Sequence, residues 1–302
     1  MYDLTVAVPV FNGDAELDGT LMNVRRQSAV DFSIVVYDNA STDRTPEIVA
    51  RHAREDSRIR HVRHDTNIGL VSNFITAVRD TRSEFIAWHA VDDLWSDNYV
   101  PELRELLRAD PSAVLAVPGQ IVESTVAGRT KRRPIPFPRR RFTPRLARAL
   151  HLMEKSRSAW LYGMWRRDFL LDAYERVLND YPVVYVHDTL VVLPALLRCA
   201  VTGTEAATFT QRVGEQKMYD LPATAAGRRE VFAAFTRFCR EEIDRTGHSA
   251  AAKALLKAYV VKFADKRCMR LTDLARWSVA ERYGLQSRGL SEYAEPRHRA
   301  NE

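Results

Sequence analysis

An α/β fold, with a mostly parallel twisted sheet flanked by helices and a helical C-terminal extension, is expected from three features of the 302-residue sequence. Short β-branched apolar runs alternate with helix-period stretches through residues 1–125, a pattern that produces parallel strands joined by crossover helices. Polar residues gather immediately after those runs. From about Arg228 onward the chain turns helical in pattern and rich in alanine, arginine and lysine.

The elements follow in order. The run LTVAVPVF (4–11) ends at Asn12 and Gly13 and reads as a buried strand closed by a turn. Leu17, Leu21 and Val24 recur at helical spacing. A second strand, FSIVVYD (32–38), leads into the polar loop NASTDRT, and Pro46 then suits the first turn of a helix, where the amide lacks a partner anyway. IRHVRH is a weaker third strand; Phe74, Ile75 and Val78 mark the next helix. EFIAWHAV is the fourth strand and runs into Asp92 and Asp93. A helix over 99–110 and a strand in SAVLAVPGQIVE complete the alternation. The segment 129–148, rich in arginine and proline and carrying Phe137 and Phe142, reads as a loop or flap. No internal repeat is present.

Composition narrows the class. An apolar fraction of 46% and a charged fraction of 28% are those of an ordinary globular protein. Cys199, Cys239 and Cys268 are odd in number, widely spaced and match no zinc pattern, which fits free thiols in a reducing compartment. The apolar stretch 183–201 contains His187, Asp188, Pro194 and Arg198, groups expensive in lipid, and is expected to be buried in protein. MYDLTVAVPVFN lacks the basic leader and cleavage site of a signal peptide, so a cytoplasmic location, extending to the inner face of the membrane, is expected. The net charge of +6 favours an anionic partner without selecting one.

In an open α/β sheet, ligands lie beyond the carboxyl ends of the strands. Asn12, Asp38, Asn67 and the pair Asp92–Asp93 all fall there and are expected on one rim. Paired acidic residues on a turn suit a hard divalent cation, which takes oxygen ligands and completes its shell with phosphate and water. A solvated acidic turn is the plain alternative. Helix capping accounts equally well for Thr42, Asp43 and Thr45.

The ordered set VAVPVFN, VYDNASTDRT, HDTNIGL, AVDDLW, YGMWRR and HDTLV resembles a bacterial family 2 glycosyltransferase, over roughly residues 4–215. That resemblance implies a GT-A fold, a Rossmann-like sheet, and an enzyme that moves a sugar from a UDP- or dTDP-sugar to a hydroxyl with inversion. The setting it implies is bacterial surface polysaccharide biosynthesis; glycosylation of a peptide or natural product is the alternative. It divides the chain into a glycosyltransferase domain over 1–220, with a nucleotide-sugar half (1–125) and an acceptor and catalytic-base half (126–220), and a helical region over 221–302.

By the same resemblance, Pro9, Phe11, Asn12, Asp38, Asn67 and Asp92 hold the nucleotide, with Phe11 against the base. Asp92, assisted by Asp93, holds Mn2+ or Mg2+. Asp188 is the catalytic base, and Arg166 and Arg212 are candidates for phosphate support, with Lys217 as a further lid residue. The family's usual D-x-D begins with a carboxylate where this chain has Ala90, beside His89; His187 stands where a glutamate is usual. The acceptor is a carbohydrate, a lipid-linked sugar or a small molecule. Peripheral membrane contact and a homodimer are compatible partners for the basic segment and the C-terminal helices. A nucleotidyltransferase fits less well, because PVFNGDAE is not a glycine-rich basic phosphate loop. A nucleic-acid-binding protein would leave the polar rim unexplained.

Overall fold

Strand β1 (Leu4–Val10) is the axis of the molecule, and all seven of its residues are buried. It runs parallel to β2 (Ser33–Asp38) on one side and to β4 (Phe85–Trp88) on the other, with β3 (Ile59–Arg63) beyond β2. The computed structural model describes residues 2–27, 31–126, 129–139, 144–181, 183–213 and 222–282.

Alternation along these strands feeds two cores. Leu4, Val6, Val8, Val10, Ile34 and Val36 face helices α1 (Leu17–Arg25), α2 (Thr45–Glu55) and α4 (Tyr99–Ala109), whose buried contributions include Leu21, Val49 and Leu103. Ala7, Val35, Tyr37, Ile86 and Trp88 face the other way, toward Phe74, Ile75 and Val78 of α3 (Leu70–Asp80). A sheet covered on both faces needs continuous apolar strands, which is why these runs look uninterrupted in sequence.

The second half departs from the mostly parallel expectation. Short β8 (Met164–Arg166) lies antiparallel to β4 on one side and to β6 (Leu115–Val126) on the other. Long β9 (Val201–Val213) runs parallel to β6, and β5 (Leu94–Trp95) closes the edge antiparallel to β9. The nine-stranded sheet is therefore mixed, ordered β3-β2-β1-β4-β8-β6-β9-β5, with a last strand paired to β6 alone. Hydrophobic periodicity identifies a strand and says nothing of its direction, so β8 could not be oriented from sequence.

That last strand corrects the flap expected over 129–148. Residues Arg129–Ile135 form β7, antiparallel to β6, with Glu123 opposite Arg132 and their side chains 3.2 Å apart. Its arginines and lysine alternate along an exposed edge, where Pro134 is tolerated because only one neighbour must be hydrogen-bonded. Arg145–Lys155 then form α5. Phe142 and Lys217 lie outside the described residues.

Helices α6 (Arg167–Asp180) and α7 (His187–Leu197) return the chain to the sheet. Apart from Asp188, every residue of α7 is buried, so the apolar stretch expected to lie within protein does so, and no described helix is long and apolar enough to cross a membrane. Helices α8 (Ala225–Asp244), α9 (Ala250–Arg267) and α10 (Leu271–Arg282) complete the described chain; Thr224 and Ser249 cap α8 and α9. Phe235 and Phe238 of α8, and Leu256 and Phe263 of α9, belong to the same core as Leu190 and Leu193 of α7. Glu154 of α5 fastens α9 through Lys266 and the Tyr259 hydroxyl. The three cysteines are free thiols, two buried and Cys199 half-buried.

Candidate functional site

The loops at the carboxyl ends of β1 and β2 are locked together by side chains. Odd-numbered residues of β1 turn their backbone toward β4, as the bonds from Phe85 N–H to Asp3 O and from His89 N–H to Ala7 O show. Pro9 shares that orientation but lies beyond the last β1–β4 pair, so its missing N–H breaks no ladder bond. Phe11 follows, 48% exposed at the rim. Asn12 has φ 50°, a conformation asparagine tolerates, and its Oδ1 accepts from Thr42 N–H at 2.8 Å. Its own N–H donates to Ser41 Oγ at 3.0 Å. Gly13 is required by close approach: a Cβ there would stand 2.6 Å from Val10 Cγ2.

Asp38 takes a different place from the one expected. It is 0% exposed, with Oδ1 accepting from Ser41 N–H at 2.8 Å and Oδ2 lying 3.2 Å from both His61 Nε2 and Arg63 Nη1. A buried carboxylate spent on these partners organises the loop and offers no free oxygen face to a nucleotide. Arg63 also donates to Ser41 O, tying β3 into the same turn. Asn67 is exposed, and its Oδ1 accepts from Asn39 Nδ2 at 2.8 Å; Asn39 Oδ1 accepts in turn from Ile68 N–H at 2.8 Å. Asn39, His61 and Arg63 are the members of this network that sequence reasoning missed. Asn39 and Arg63 carried a signal in their position at the ends of β2 and β3; His61, in the middle of β3, carried none.

The acidic turn lies on the same rim. His89 is buried against Trp95, with ring centroids 4.5 Å apart, and its ring nitrogens face Ala90 O at 2.7 Å and Asn23 Oδ1 at 2.9 Å. Ala90 thus serves the turn through its carbonyl, which also accepts from Asp93 N–H at 3.3 Å. Asp92 is exposed and makes no hydrogen bond or ion pair among the described residues. Asp93 is 4% exposed, and its Oδ1 accepts from the backbone N–H of Arg212 at 3.0 Å, joining the turn to β9. Burial, then the neighbouring Asp92 charge, pushes the Asp93 carboxyl up to about 8. The Arg212 side chain reaches Glu123 at 3.5 Å.

This donor set fits a divalent cation only in part-built form. Among the described residues no three acidic, histidine or cysteine side chains cluster as a metal cage. One free carboxylate with a second beside it matches a Mg2+-type ion that completes its shell with substrate phosphates and water.

Asp188 reaches the rim by tertiary packing. Because β8 runs antiparallel to β4, the chain entering β8 lies at the carboxyl end of β4, and the 3₁₀ turn Ser158–Tyr162 sits there. Gly163 permits it: a Cβ would lie 2.5 Å from Ala116 O. Asp188 stands in the first turn of α7 and accepts from Thr189 N–H at 2.6 Å, and Ser158 acts to lower its carboxyl. Val186, just before the helix, has φ 59°, a left-handed conformation that a β-branched residue adopts only under constraint. Burial raises the Asp188 carboxyl above the usual carboxylate range, against the lowering pull of its hydrogen bonds and of Arg267 from the end of α9. His187 is buried between Tyr174 and Tyr181, and burial lowers its ring to about 4, so it is a neutral core residue.

Arg166 is a correction. It pairs with Phe85, the first residue of β4, at the opposite end of the sheet from Asp92. Its guanidinium donates to Ala113 O and Leu107 O at 2.9 and 2.7 Å and meets Glu84, a structural role that leaves nothing for a phosphate.

The chain is similar to known proteins in sequence and in fold. A family model described as Glycosyl transferase family 2 matches residues 5–172. The uncharacterized glycosyltransferase EpsJ of Bacillus subtilis is 28% identical over 102 residues, covering 34% of this chain and 29% of the relative, so the match spans under a third of that protein's length. Among solved structures, S. aureus TarS 1–349 in complex with UDP-GlcNAc superposes with a TM-score of 0.66 at 16% identity, covering 92% of this chain and 79% of TarS 1–349. The mannosyltransferase PcManGT of Pyrobaculum calidifontis, in complex with GDP-Man and Mn2+, gives 0.51 at 17% identity, covering 97% and 83%. At such identities the likeness is one of fold, and the fold is GT-A with a helical C-terminal region.

Proposed function

Since the chain belongs to glycosyl transferase family 2, we propose that it is an inverting, metal-dependent enzyme moving a sugar from a UDP- or dTDP-sugar to an acceptor hydroxyl, within bacterial surface polysaccharide synthesis. What supports this is that Asp92 follows β4 as a partner-free exposed carboxylate, while the half-buried Asp188 is influenced by Ser158 of the turn that leads into β8, at the same end of β4.

Phe11 offers its exposed ring to the base, and the Asn12 and Asn67 loops border the ribose and base, held in shape by Asp38 and Asn39. Asp92, with Asp93, would hold Mn2+ or Mg2+, which supplies Lewis-acid stabilisation of the leaving diphosphate. Asp188 takes the proton of the acceptor hydroxyl as its oxygen bonds to the anomeric carbon and the bond to the diphosphate oxygen breaks. A carboxylate whose burial raises its proton affinity is a better base for a hydroxyl than a solvated one.

The test is a thermal-shift panel of UDP, dTDP and GDP with and without Mn2+. UDP or dTDP with metal should raise Tm, and Asp92→Ala should abolish the metal-dependent part. Asp188→Asn should keep that shift and lose transfer. Full activity in Asp188→Asn would refute the assignment of the base.

A further inference from the structure

Arg157, immediately before the Ser158–Tyr162 turn, is a half-buried cation without an anion. Its Nε is sealed from solvent with no hydrogen-bond partner, and it makes no ion pair among the described residues. The nearby groups that influence its charge are also arginines: Arg133 of β7 presses on it, and it in turn presses on Arg267. Arg267 donates to the carbonyls of Glu154, at 3.1 Å, and Ser156, yet its buried Nε is likewise unpartnered. Burial pushes both guanidiniums below their usual range, Arg267 to about 10.

Two other part-buried arginines, Arg176 and Arg166, are each met by a carboxylate. Arg176 meets Glu242 and Asp172, and Arg166 meets Glu84 and two carbonyls. Glu154 and Asp188 attract Arg267, but only Arg133 and burial act on Arg157, and folding does not favour a buried cation beside like charges without an anion of its own. Such a cluster is stabilised when an oxyanion enters it, and guanidinium forks match phosphate oxygens. The two arginines are linked through the backbone, since Arg267 donates to Ser156 O, next to Arg157, and Asp188 lies within the electrostatic reach of Arg267 and of Ser158, the residue after Arg157.

We propose that Arg157 and Arg267, with Arg133 at the margin, form a phosphate subsite for the acceptor, so that the attacking hydroxyl belongs to a phosphate-bearing molecule whose phosphate lies beside Asp188. This extends the glycosyl transfer proposed above and depends on it for the meaning of "acceptor". The phosphate could be carried by a soluble polyol or sugar phosphate or by a lipid; both present the same oxyanion.

Glycerol 3-phosphate, with glycerol as the uncharged control, is the soluble probe in metal-free thermal-shift titrations of the full chain. Among the described residues Arg157 makes no side-chain hydrogen bond, so Arg157→Gln should fold. Wild type should be stabilised by glycerol 3-phosphate and not by glycerol, and Arg157→Gln should raise the apparent Kd about tenfold or more, the scale of a lost charge-assisted contact. Arg157→Lys should recover part of it. Co-sedimentation with phosphatidylcholine vesicles, with and without phosphatidic acid, separates the sources: Arg157-dependent binding to the acidic vesicles assigns the phosphate to a lipid, and binding of the soluble probe alone assigns it to a soluble acceptor.

Lack of response in wild type to both phosphate probes, or a response that survives Arg157→Gln, overturns the subsite. So does a parallel loss of the UDP–Mn2+ shift in that variant, which would give the cluster to the donor. Failure of UDP and dTDP to bind wild type, with the phosphate response intact, instead removes the glycosyl transfer and leaves an anion site.

Discussion

Around β1 and β2 the rim is tied by hydrogen bonds among Asn12, Asp38, Asn39, Ser41 and Asn67, whereas near Asp188 the buried Nε atoms of Arg157 and Arg267 lack partners among the described residues and Val186 is strained. In the first region nearly every polar group has its partner within the loops themselves. In the second, polar groups wait for partners that the chain does not supply. A left-handed Val186 costs on the order of 1–3 kcal/mol, and unpaired buried cations add to it. The β1–β2 rim is held in shape by its own hydrogen bonds; the rim around Asp188 keeps a cost that the proposed substrate would relieve.

Substitutions in the two regions should therefore separate activity from stability. The largest effect is expected from Asp188→Asn, which should lower turnover roughly 10²–10⁴-fold, the usual worth of general-base catalysis, while Tm stays level or rises. Steady-state kinetics beside calorimetry would reveal it, and a large fall in Tm would show that Asp188 is structural. Asp38→Ala should do the reverse, destabilising the fold by about 1–3 kcal/mol, because the buried Ser41 N–H loses its acceptor while Arg63 can turn to solvent. Urea titration measures this, and an unchanged midpoint would deny Asp38 its organising role.

The pH dependence of the base side has a definite sign. With the native Asp188 carboxyl raised, transfer should fall as pH drops through a point above the ordinary 3.8. Folding stability from this group runs the other way: its burial cost is present above the raised native value and vanishes as pH falls below 3.8. Asp188→Asn should remove that component from a stability–pH curve.

Smaller effects sharpen the contrast. Glu154, despite burial that opposes it, is held near a pKa of about 2 by Lys266 and Tyr259, so its contribution is present above 4.5 and lost as pH falls toward 2. Glu154→Gln should cost at most about 1 kcal/mol, since the pair is partly solvated, and should loosen α9, seen as faster amide exchange around Arg267. Phe11→Ala should weaken UDP binding by about 1 kcal/mol, near fivefold in Kd, with Tm of the free protein unchanged. Calorimetric titration decides it.

The placement of Asn12, Asn67 and the acidic turn at strand ends was legible in the sequence because its information is local. A buried parallel strand needs an apolar run, its end needs a turn, and Asn12, Asn67 and Asp92 follow such runs directly. Asp38 follows one too, but its adjacency to the rim could not reveal that its side chain turns inward to Ser41, His61 and Arg63. Arg166 misled for a related reason: proximity in sequence to a family-like motif says nothing about which end of an antiparallel strand a residue occupies.

The alternation of apolar runs with helical spacing determined by itself the α/β class, the position of β1 to β4 and the rim on which the acidic turn stands, since those follow from burying backbone and side chains element by element. Only the tertiary structure decided that β8 reverses, that β7 replaces a loop, and that Arg157, Arg267 and Asp188 meet, because strand direction and long-range contact depend on which surfaces pack together and leave no periodic trace along the chain.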